Sequence, residues 1–300
     1  MSDSRPSAIN PQSGLSSGAK RRRRPQTVFS DLALESAQTV KTGSRLAEGI
    51  ELKNSEESGF CVTDVRVKSE EVSKRISKPQ GRYITLEPRL PLYYSPSDSV
   101  AASRVIARYI SELIGDTSRV MVVGLGNQSV TADSLGPRVS RHIFATRHIP
   151  LNAPNLSYDG LKSVSCVTPG VMGDTGIEPL ELLKPLKDAV LPDAVIIIDS
   201  LCCQSPSHLG RTIQLSDTGI SPGSGVGNRR DELSRTSLGV RTVSVGVPTV
   251  ASLGHEGGEL WVTSKSIDKL ISMSASLISL GINLGLHPGL DPEELRLLTS

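Results

Sequence analysis

The sequence has few aromatic residues and few cysteines, and its charges nearly cancel. One Trp, five Tyr and three Phe in 300 residues leave little material for the stacking surfaces that bind single-stranded nucleic acid. Four Cys without a CxxC spacing predict neither a disulfide framework nor a structural zinc site. A formal net charge of +2 gives no field that favours nucleic acid or membrane, and no long apolar run predicts a membrane span. We therefore expect a cytoplasmic globular protein with reduced thiols, no membrane contact and no nucleic-acid partner.

The first 31 residues differ from the rest in composition. They are rich in Ser, Pro and Gly and contain the basic run from Lys20 to Arg24. Like charges in a row repel each other and cannot form a core, so residues 1–31 are predicted to be a flexible basic arm. The arm is either a solvated tail or a segment that touches an acidic face or nucleic acid. Residues 32–300 are predicted to form a single domain.

After about residue 115 the hydrophobic pattern alternates between short β-branched runs and amphipathic helices. This alternation predicts an α/β fold, with a mostly parallel sheet, helices on both faces and a small N-terminal strand lobe. Strands are expected near residues 61–67, 82–87, 120–124, 164–167, 194–198, 212–215 and 242–247. Helices are expected near residues 32–47, 98–114, 177–188 and 266–286, with a further helix that begins near Ser134.

Two aspartates follow predicted strands and form the main catalytic hypothesis. Asp133 lies after the Gly124-Leu125-Gly126 turn, and Asp199 ends the apolar strand 194–198. Both are thus expected at the carboxyl edge of the sheet, where such folds keep their sites. A carboxylate pair can activate water with one member and protonate a leaving group with the other. Asp133, near a helix N-terminus, is the expected base and Asp199 the expected acid, although helix capping and strand termination are alternative roles.

Two glycine-dense loops follow other predicted strands. The loop at 216–230 exposes many backbone amides, which could hold an extended peptide or an anion, and the loop at 169–178 is similar in composition. The GxG at Gly124 lacks the third glycine of a dinucleotide-binding turn. The sequence also lacks a GxSxG motif and an HExxH motif, so Ser or Cys nucleophilic catalysis and a zinc triad are disfavoured.

Six ordered segments resemble the germination protease family, the endopeptidases of bacterial spores that degrade small acid-soluble spore proteins. The segments are VVGLGN at 122–127, the stretch 131–137, PGVMGDTGIE at 169–178, IIIDS at 196–200, the loop 216–229 and VGVPTV at 245–250. The resemblance implies an atypical aspartic peptidase with a fold similar to that of hydrogenase-maturation endopeptidases. Its two essential aspartates correspond to Asp133 and Asp199.

The resemblance also implies a tetramer without a cofactor, located in the spore core or forespore and made as a zymogen that removes its own arm. An acidic residue followed by Leu-Ala marks the family's processing site, and Asp31-Leu32-Ala33 matches it. Self-cleavage between Asp31 and Leu32 is therefore expected. The expected substrate-binding residues are Asn127, Asp217, Gly223, Ser224, Gly225 and Arg229.

The chain departs from the family pattern at several positions. Ser221 stands where the family usually has His, and Ala132 replaces the usual Pro. The stretch after residue 250 is shorter than usual and the arm is longer, which puts oligomer contacts and zymogen control in doubt. Two alternatives stay open from the sequence: a metal-dependent maturation-type endopeptidase with the aspartates as ligands, and a non-catalytic protein whose arm contacts DNA.

Overall fold

The computed structural model describes residues 30–42, 45–46, 48–89, 99–149, 161–221, 231–255 and 258–299. Within these ranges the strands are β1 (Lys41–Thr42), β2 (Arg45–Leu46), β3 (Ile50–Glu57), β4 (Phe60–Val67), β5 (Gly81–Pro88), β6 (Arg119–Gly124), β7 (Ser163–Val167), β8 (Ala194–Cys203), β9 (Ile213–Ser216), β10 (Arg241–His255) and β11 (Gly258–Thr263). Most of them join one nine-stranded sheet, in the order β3-β4-β5-β9-β10-β8-β6-β7, with β11 paired to β10.

The helices of the described residues cover both faces of this sheet. They are α1 (Ala33–Thr39), α2 (Glu70–Ile76), α3 (Ser99–Ile114), α4 (Leu135–Ser140), α5 (Met172–Thr175), α6 (Pro179–Val190), α7 (Arg235–Leu238), α8 (Ile267–Leu286) and α9 (Pro292–Leu298). On one face, Ile196 of β8 shares a buried cluster with Ile106 of α3 and Ile278 of α8. On the other face, Ile197 packs with Leu183 of α6. The α/β fold class predicted from the sequence is confirmed.

Parallel pairing is confined to one half of the sheet. Strands β10, β8, β6 and β7 run parallel. The apolar runs of β6 and β8 are buried on both faces, as expected for parallel strands, while the edge strand β7 buries only Val164. The other half is antiparallel, since β3 to β5 pair antiparallel in sequence order and β5 pairs antiparallel with β9. The expected N-terminal lobe is therefore continuous with the main sheet, although α1 and α2 give it a hydrophobic cluster of its own.

Several element boundaries differ from those expected. The helix expected over 32–47 ends at Thr39, because Lys41–Thr42 turns back to pair with Arg45–Leu46. Strand β8 does not end at Asp199 but continues to Cys203, since β10 pairs with it as far as Ala251. Asp199 therefore lies within a long strand rather than at its end.

Helix α8 is long and apolar enough to cross a membrane by length and composition alone. In this fold, however, Leu270, Ile271, Ile278 and Ile282 of α8 are fully buried in the cluster formed with α3 and the sheet. Packing in the interior of an α/β protein thus accounts for the composition of this helix.

Candidate functional site

Asp199 is a buried carboxylate in the middle of the sheet. Asp199 is only 6% exposed, and in the parallel pairing of β8 with β10 it lies opposite Gly246. The backbone amide of Ser200 donates to its Oδ1 at 2.8 Å. A Cβ on Gly246 would overlap the Leu201 side chain at 2.6 Å and the Asp199 carbonyl oxygen at 2.8 Å, so the absence of a side chain there lets Leu201 pack beside Asp199.

Asp133 lies in a short 3-10 turn, Thr131–Asp133, after the carboxyl end of β6. The amide of Asn127 donates to its Oδ2 at 2.8 Å, so the carboxylate is held against the Gly124-Leu125-Gly126 turn. Gly126 has a φ of 116°, and a Cβ at this position would overlap the carbonyl oxygen of Asp133. Only glycine satisfies both conditions, and this explains the second glycine of the GxG sequence.

One main-chain hydrogen bond joins the segments that carry the two aspartates. The amide of Leu125 donates to the carbonyl of Ile198 at 2.8 Å, extending the parallel pairing of Gly124 with Ile198. Gly136 at the start of α4 packs against both partners, since a Cβ there would lie 2.5 Å from the Leu125 nitrogen and 2.7 Å from the Ile198 oxygen. Asp133 thus follows β6, and Asp199 lies within the adjacent β8, toward the carboxyl side of the parallel half of the sheet.

Gln214 is a functional candidate that the sequence analysis missed. It pairs with Gly246 from the side opposite Asp199, and it is only 7% exposed. Its Nε2 donates to the carbonyl of Asp31 at 3.0 Å, and its Oε1 accepts from the amide of Ala33 at 2.7 Å. The signal available in the sequence was a single amide side chain between Ile213 and Leu215 in a short apolar strand.

The expected processing bond, Asp31–Leu32, lies along β8. The Asp31 amide donates to the Cys202 carbonyl at 2.9 Å, and the Cys202 amide donates to Asp31 Oδ2 at 2.8 Å. Leu32 is fully buried with Leu201, Cys203 and Ala251. The segment therefore occupies an extended position on the strand that carries Asp199.

Glu35 anchors the same segment to the loop after β8. Its carboxylate, 5% exposed, accepts from Ser30 Oγ at 2.5 Å and from the amides of Gln204 and Ser205 at 2.7 and 2.9 Å, and it contacts His208 Nδ1 at 2.6 Å. Burial acts to raise the pKa of Glu35, but the hydrogen bonds from His208, Ser30 and the two amides together lower it. The hydrogen bond to Glu35 raises the pKa of His208 above its usual value.

A cavity of about 240 Å³ opens beside the Asp31 segment on the face of the sheet that Gln214 and Gly246 share. Its wall includes Lys78, whose Nζ donates to the carbonyl of Ser30 at 2.9 Å. Tyr83 forms another part of the wall, and burial raises the pKa of its phenol. The cavity is thus bordered by polar strand residues on its floor and by the processing segment at its side.

The remaining residues expected at the site are only partly described. Asn127 Oδ1 accepts from the Ser129 amide at 2.8 Å, and Asp217 Oδ1 accepts from the Arg82 amide at 2.7 Å. The Asn127 side chain therefore holds a local turn, whereas the Asp217 side chain ties the end of β9 to β5. Gly223, Ser224, Gly225 and Arg229 lie outside the described residues. Over the described part of the chain, no three His, Cys, Asp or Glu side chains converge as a metal-ligand set.

The fold and these contacts are those of an α/β protein with two aspartates on neighbouring segments and an extended N-terminal segment docked at the carboxyl side of its parallel strands. Residues 29–254 match the model of the germination protease family. The germination protease of Caldanaerobacter subterraneus is 39% identical over 90% of this chain and 98% of its own length. Those of Clostridium tetani and Bacillus cereus are 34% and 36% identical over 90% of this chain, and over 98% and 77% of their own lengths.

The chain therefore belongs to the germination protease family, and it is a protease of spore germination. Among solved structures, the NiFe hydrogenase maturation protease HycI of Thermococcus kodakarensis is similar, with 17% identity, a TM-score of 0.34 and coverage of 58% of this chain and 98% of that one.

Proposed function

We propose that this protease is an endopeptidase of the spore core or forespore that degrades small acid-soluble spore proteins, with Asp133 and Asp199 as its catalytic pair. The chief support is the Leu125–Ile198 hydrogen bond, which holds the segments bearing both aspartates together. An acidic pair of this kind fits the aspartic mechanism that the germination protease family resemblance implies.

In the proposed reaction, one carboxylate removes a proton from water, and the water oxygen attacks the peptide carbonyl carbon. The C–N bond then breaks, and the protonated partner carboxyl gives its proton to the departing amine nitrogen. One water is consumed, and a carboxyl and an amine terminus form. Which aspartate starts as the base is left open, since a coupled pair titrates as a unit.

We further propose that the chain is made as a zymogen and cuts its own Asp31–Leu32 bond, and that the enzyme works as a homotetramer. The Asp31–Leu32 segment already lies on β8, and Gln214 donates to the carbonyl of the bond to be cut. A donor to that oxygen would stabilise the negative charge that develops on it during attack.

The deciding experiment is incubation of the purified protein with a purified small acid-soluble spore protein, followed by mass mapping of every new terminus. We expect cuts after acidic residues that precede an aliphatic residue, and the same products in the presence of a chelator. Products cut elsewhere, or an intact spore protein, would remove the proposed substrate class. Loss of activity with chelator would favour the metal-dependent mechanism instead.

A further inference from the structure

The segment from Ser30 to Leu32 is bound to the body of the protein as an extended peptide, and α1 begins directly after it at Ala33. Asp31 exchanges two hydrogen bonds with Cys202, from its amide to the Cys202 carbonyl and from the Cys202 amide to its carboxylate. Gln214 contacts the chain on both sides of Leu32. The register of the Asp31–Leu32 bond is therefore fixed largely by main-chain contacts that any sequence could make, so the side chains must supply selectivity.

The side chain of Asp31 lies near the cation of Lys78, which is also close to the carboxylate of Glu35. Lys78 lines the same cavity as Asp31, and its ammonium reaches the segment at the carbonyl of Ser30. Burial lowers the pKa of Lys78, and the nearby charge of Asp31 opposes that effect. Lys78 is half-buried, and a partly desolvated cation near a backbone amide donor is a good receptor for a carboxylate.

The neighbouring side chain lies in an apolar environment. Leu32 is fully buried and contacts the cluster of Leu201, Cys203 and Ala251, and Ala33 is fully buried next to Gln214. The site thus offers a charged position followed by an apolar position and then a position with room for a small residue. This order matches the side chains of Asp31, Leu32 and Ala33.

We infer that Lys78 and the Cys202 amide form the subsite that selects an acidic side chain immediately before the cleaved bond, and that Asp31 occupies this subsite in the uncut chain. The inference rests on the proposed endopeptidase function. Lys78 is a specificity-determining residue here and takes no part in bond cleavage. In a protein substrate, Glu or Asp would take the place of Asp31.

A double-mutant cycle in the full chain tests the inference. The rate of cleavage at position 31–32 is measured by mass spectrometry in four chains: unmodified, Asp31→Asn, Lys78→Met and the double variant. With Lys78 in place, Asp31→Asn should slow cleavage roughly tenfold to a hundredfold, the value of one charge-assisted contact. In the Lys78→Met chain, Asp31→Asn should change the rate less than about twofold.

A purely structural role for Lys78 gives a different result. Lys78→Met would then slow the chain with the native Asp31 and the Asp31→Asn chain equally, and the ratio of their rates would stay as in the unmodified protein, which overturns the inference. Lys78→Arg keeps the charge, so the ratio of cleavage rates between the native Asp31 chain and the Asp31→Asn chain should stay close to that of the unmodified protein. The same comparison can be made on separate substrates. Two peptides that differ only in having Glu or Gln before Leu-Ala are given to the enzyme, and the ratio of their cleavage rates is measured.

A stability measurement covers variants that cleave too slowly to compare. In chains that also carry Asp199→Asn, Asp31→Asn should lower the unfolding temperature by about 2 °C with Lys78 present and by less in the Lys78→Met background. If Asp31→Asn lowers the unfolding temperature equally with Lys78 and with Met at position 78, the proposed role of Lys78 in the subsite is wrong. An unmodified chain that cleaves no bond at all would instead show that the proposed function has failed, and the subsite with it.

Discussion

Asp199 and Gln214 lie in register on either side of Gly246, and all three belong to the same face of the sheet. Two strand spacings separate their backbones by about 9.5 Å. The Gln214 amide donates into this region, to the carbonyl of Asp31. The bond expected to be cut therefore contacts both the Gln214 amide, which donates to its carbonyl oxygen, and β8, the strand that carries a proposed catalytic carboxylate.

We predict that Gln214→Ala slows self-cleavage at Asp31–Leu32 by about tenfold to a hundredfold. The variant removes the donor to the Asp31 carbonyl and leaves the Ala33 amide without its side-chain acceptor. Loss of the acceptor should also cost about 1–3 kcal/mol of unfolding free energy. Cleavage is followed by mass spectrometry over time, and stability by denaturant titration.

Gln38→Ala is the matched control, since Gln38 is an exposed amide on α1 in the same segment. It should leave both the cleavage rate and the stability nearly unchanged. If Gln214→Ala loses stability but cleaves at the normal rate, Gln214 only anchors the segment and plays no part in positioning the bond.

We predict that Asp133→Asn and Asp199→Asn each reduce self-cleavage and cleavage of spore protein by about 10²-fold to 10⁴-fold, the range for a single acid or base. Asn keeps the size of the side chain, so circular dichroism should show a folded protein. The double variant is expected to cleave almost as fast as either single variant, because the two carboxyls act as a unit.

Asp188→Asn serves as the control carboxylate. Its side chain is 71% exposed at the end of α6, where it pairs only with Lys187 among the contacts described. The Asp188→Asn variant is expected to cleave itself and the spore protein at the wild-type rate. A single Asn variant at Asp133 or Asp199 that keeps roughly half of the wild-type rate would rule that residue out of the reaction, because a true acid or base is worth at least about 10²-fold.

Much of the fold could be predicted from the sequence, because its central elements carry strong local patterns. The apolar run at 194–198 and the amphipathic repeat of 266–286 correspond to β8 and α8. Strand β3 was missed, since its polar sequence IELKNSEE is mostly exposed at the sheet edge and is held by pairing with β4. That pairing is a tertiary contact, and the local sequence has no alternating hydrophobic pattern from which the strand could be predicted.

The sequence places the two aspartates on neighbouring segments because Asp133 follows β6 and Asp199 follows the apolar run 194–198 in the adjacent parallel strand β8. Their catalytic role stays a prediction. Gln214 and Lys78 could not be predicted, because their importance depends on where residues 30–33 dock. Docking sets β8 and β9 against a segment far away in sequence, as in the Gln214 bond to Ala33 with its separation of 181 positions. No spacing rule in the sequence relates such residues.

We predict that the Glu35–His208 contact stabilises the folded protein most between about pH 4.5 and 6.5, the usual pKa values of the two groups. The pKa of His208 is raised, so its contribution is complete below 6.5 and is lost as the pH rises through the folded-state value. The pKa of Glu35 is lowered, so its contribution is complete above 4.5 and is lost as the pH falls through its folded-state value.

His208→Ala should accordingly cost about 1–2 kcal/mol at about pH 5.5 and clearly less at about pH 8.5, measured by denaturant unfolding at each pH. Glu35→Gln should remove most of the difference between the two pH values. His142→Ala, at a ring that contacts the Thr299 carbonyl instead, provides the control. A cost of His208→Ala that does not vary with pH would show that the His208 ring stabilises by packing alone.

We predict that Gly136→Ala destabilises the protein by about 1–3 kcal/mol and slows self-cleavage beyond what the loss of folded protein explains. Its new methyl group would press on the Leu125 nitrogen and the Ile198 oxygen, the two atoms whose hydrogen bond joins the aspartate segments.

Gly173→Ala is the matched variant, because Gly173 also lies in a helix and a Cβ there would meet nothing within 4 Å. That change should be neutral or stabilising by up to about 1 kcal/mol, since Ala favours the helix over Gly. If the two variants unfold at the same denaturant concentration and cleave at the same rate, the junction between Leu125 and Ile198 tolerates displacement. The spacing of Asp133 and Asp199 would then have to be fixed by other contacts.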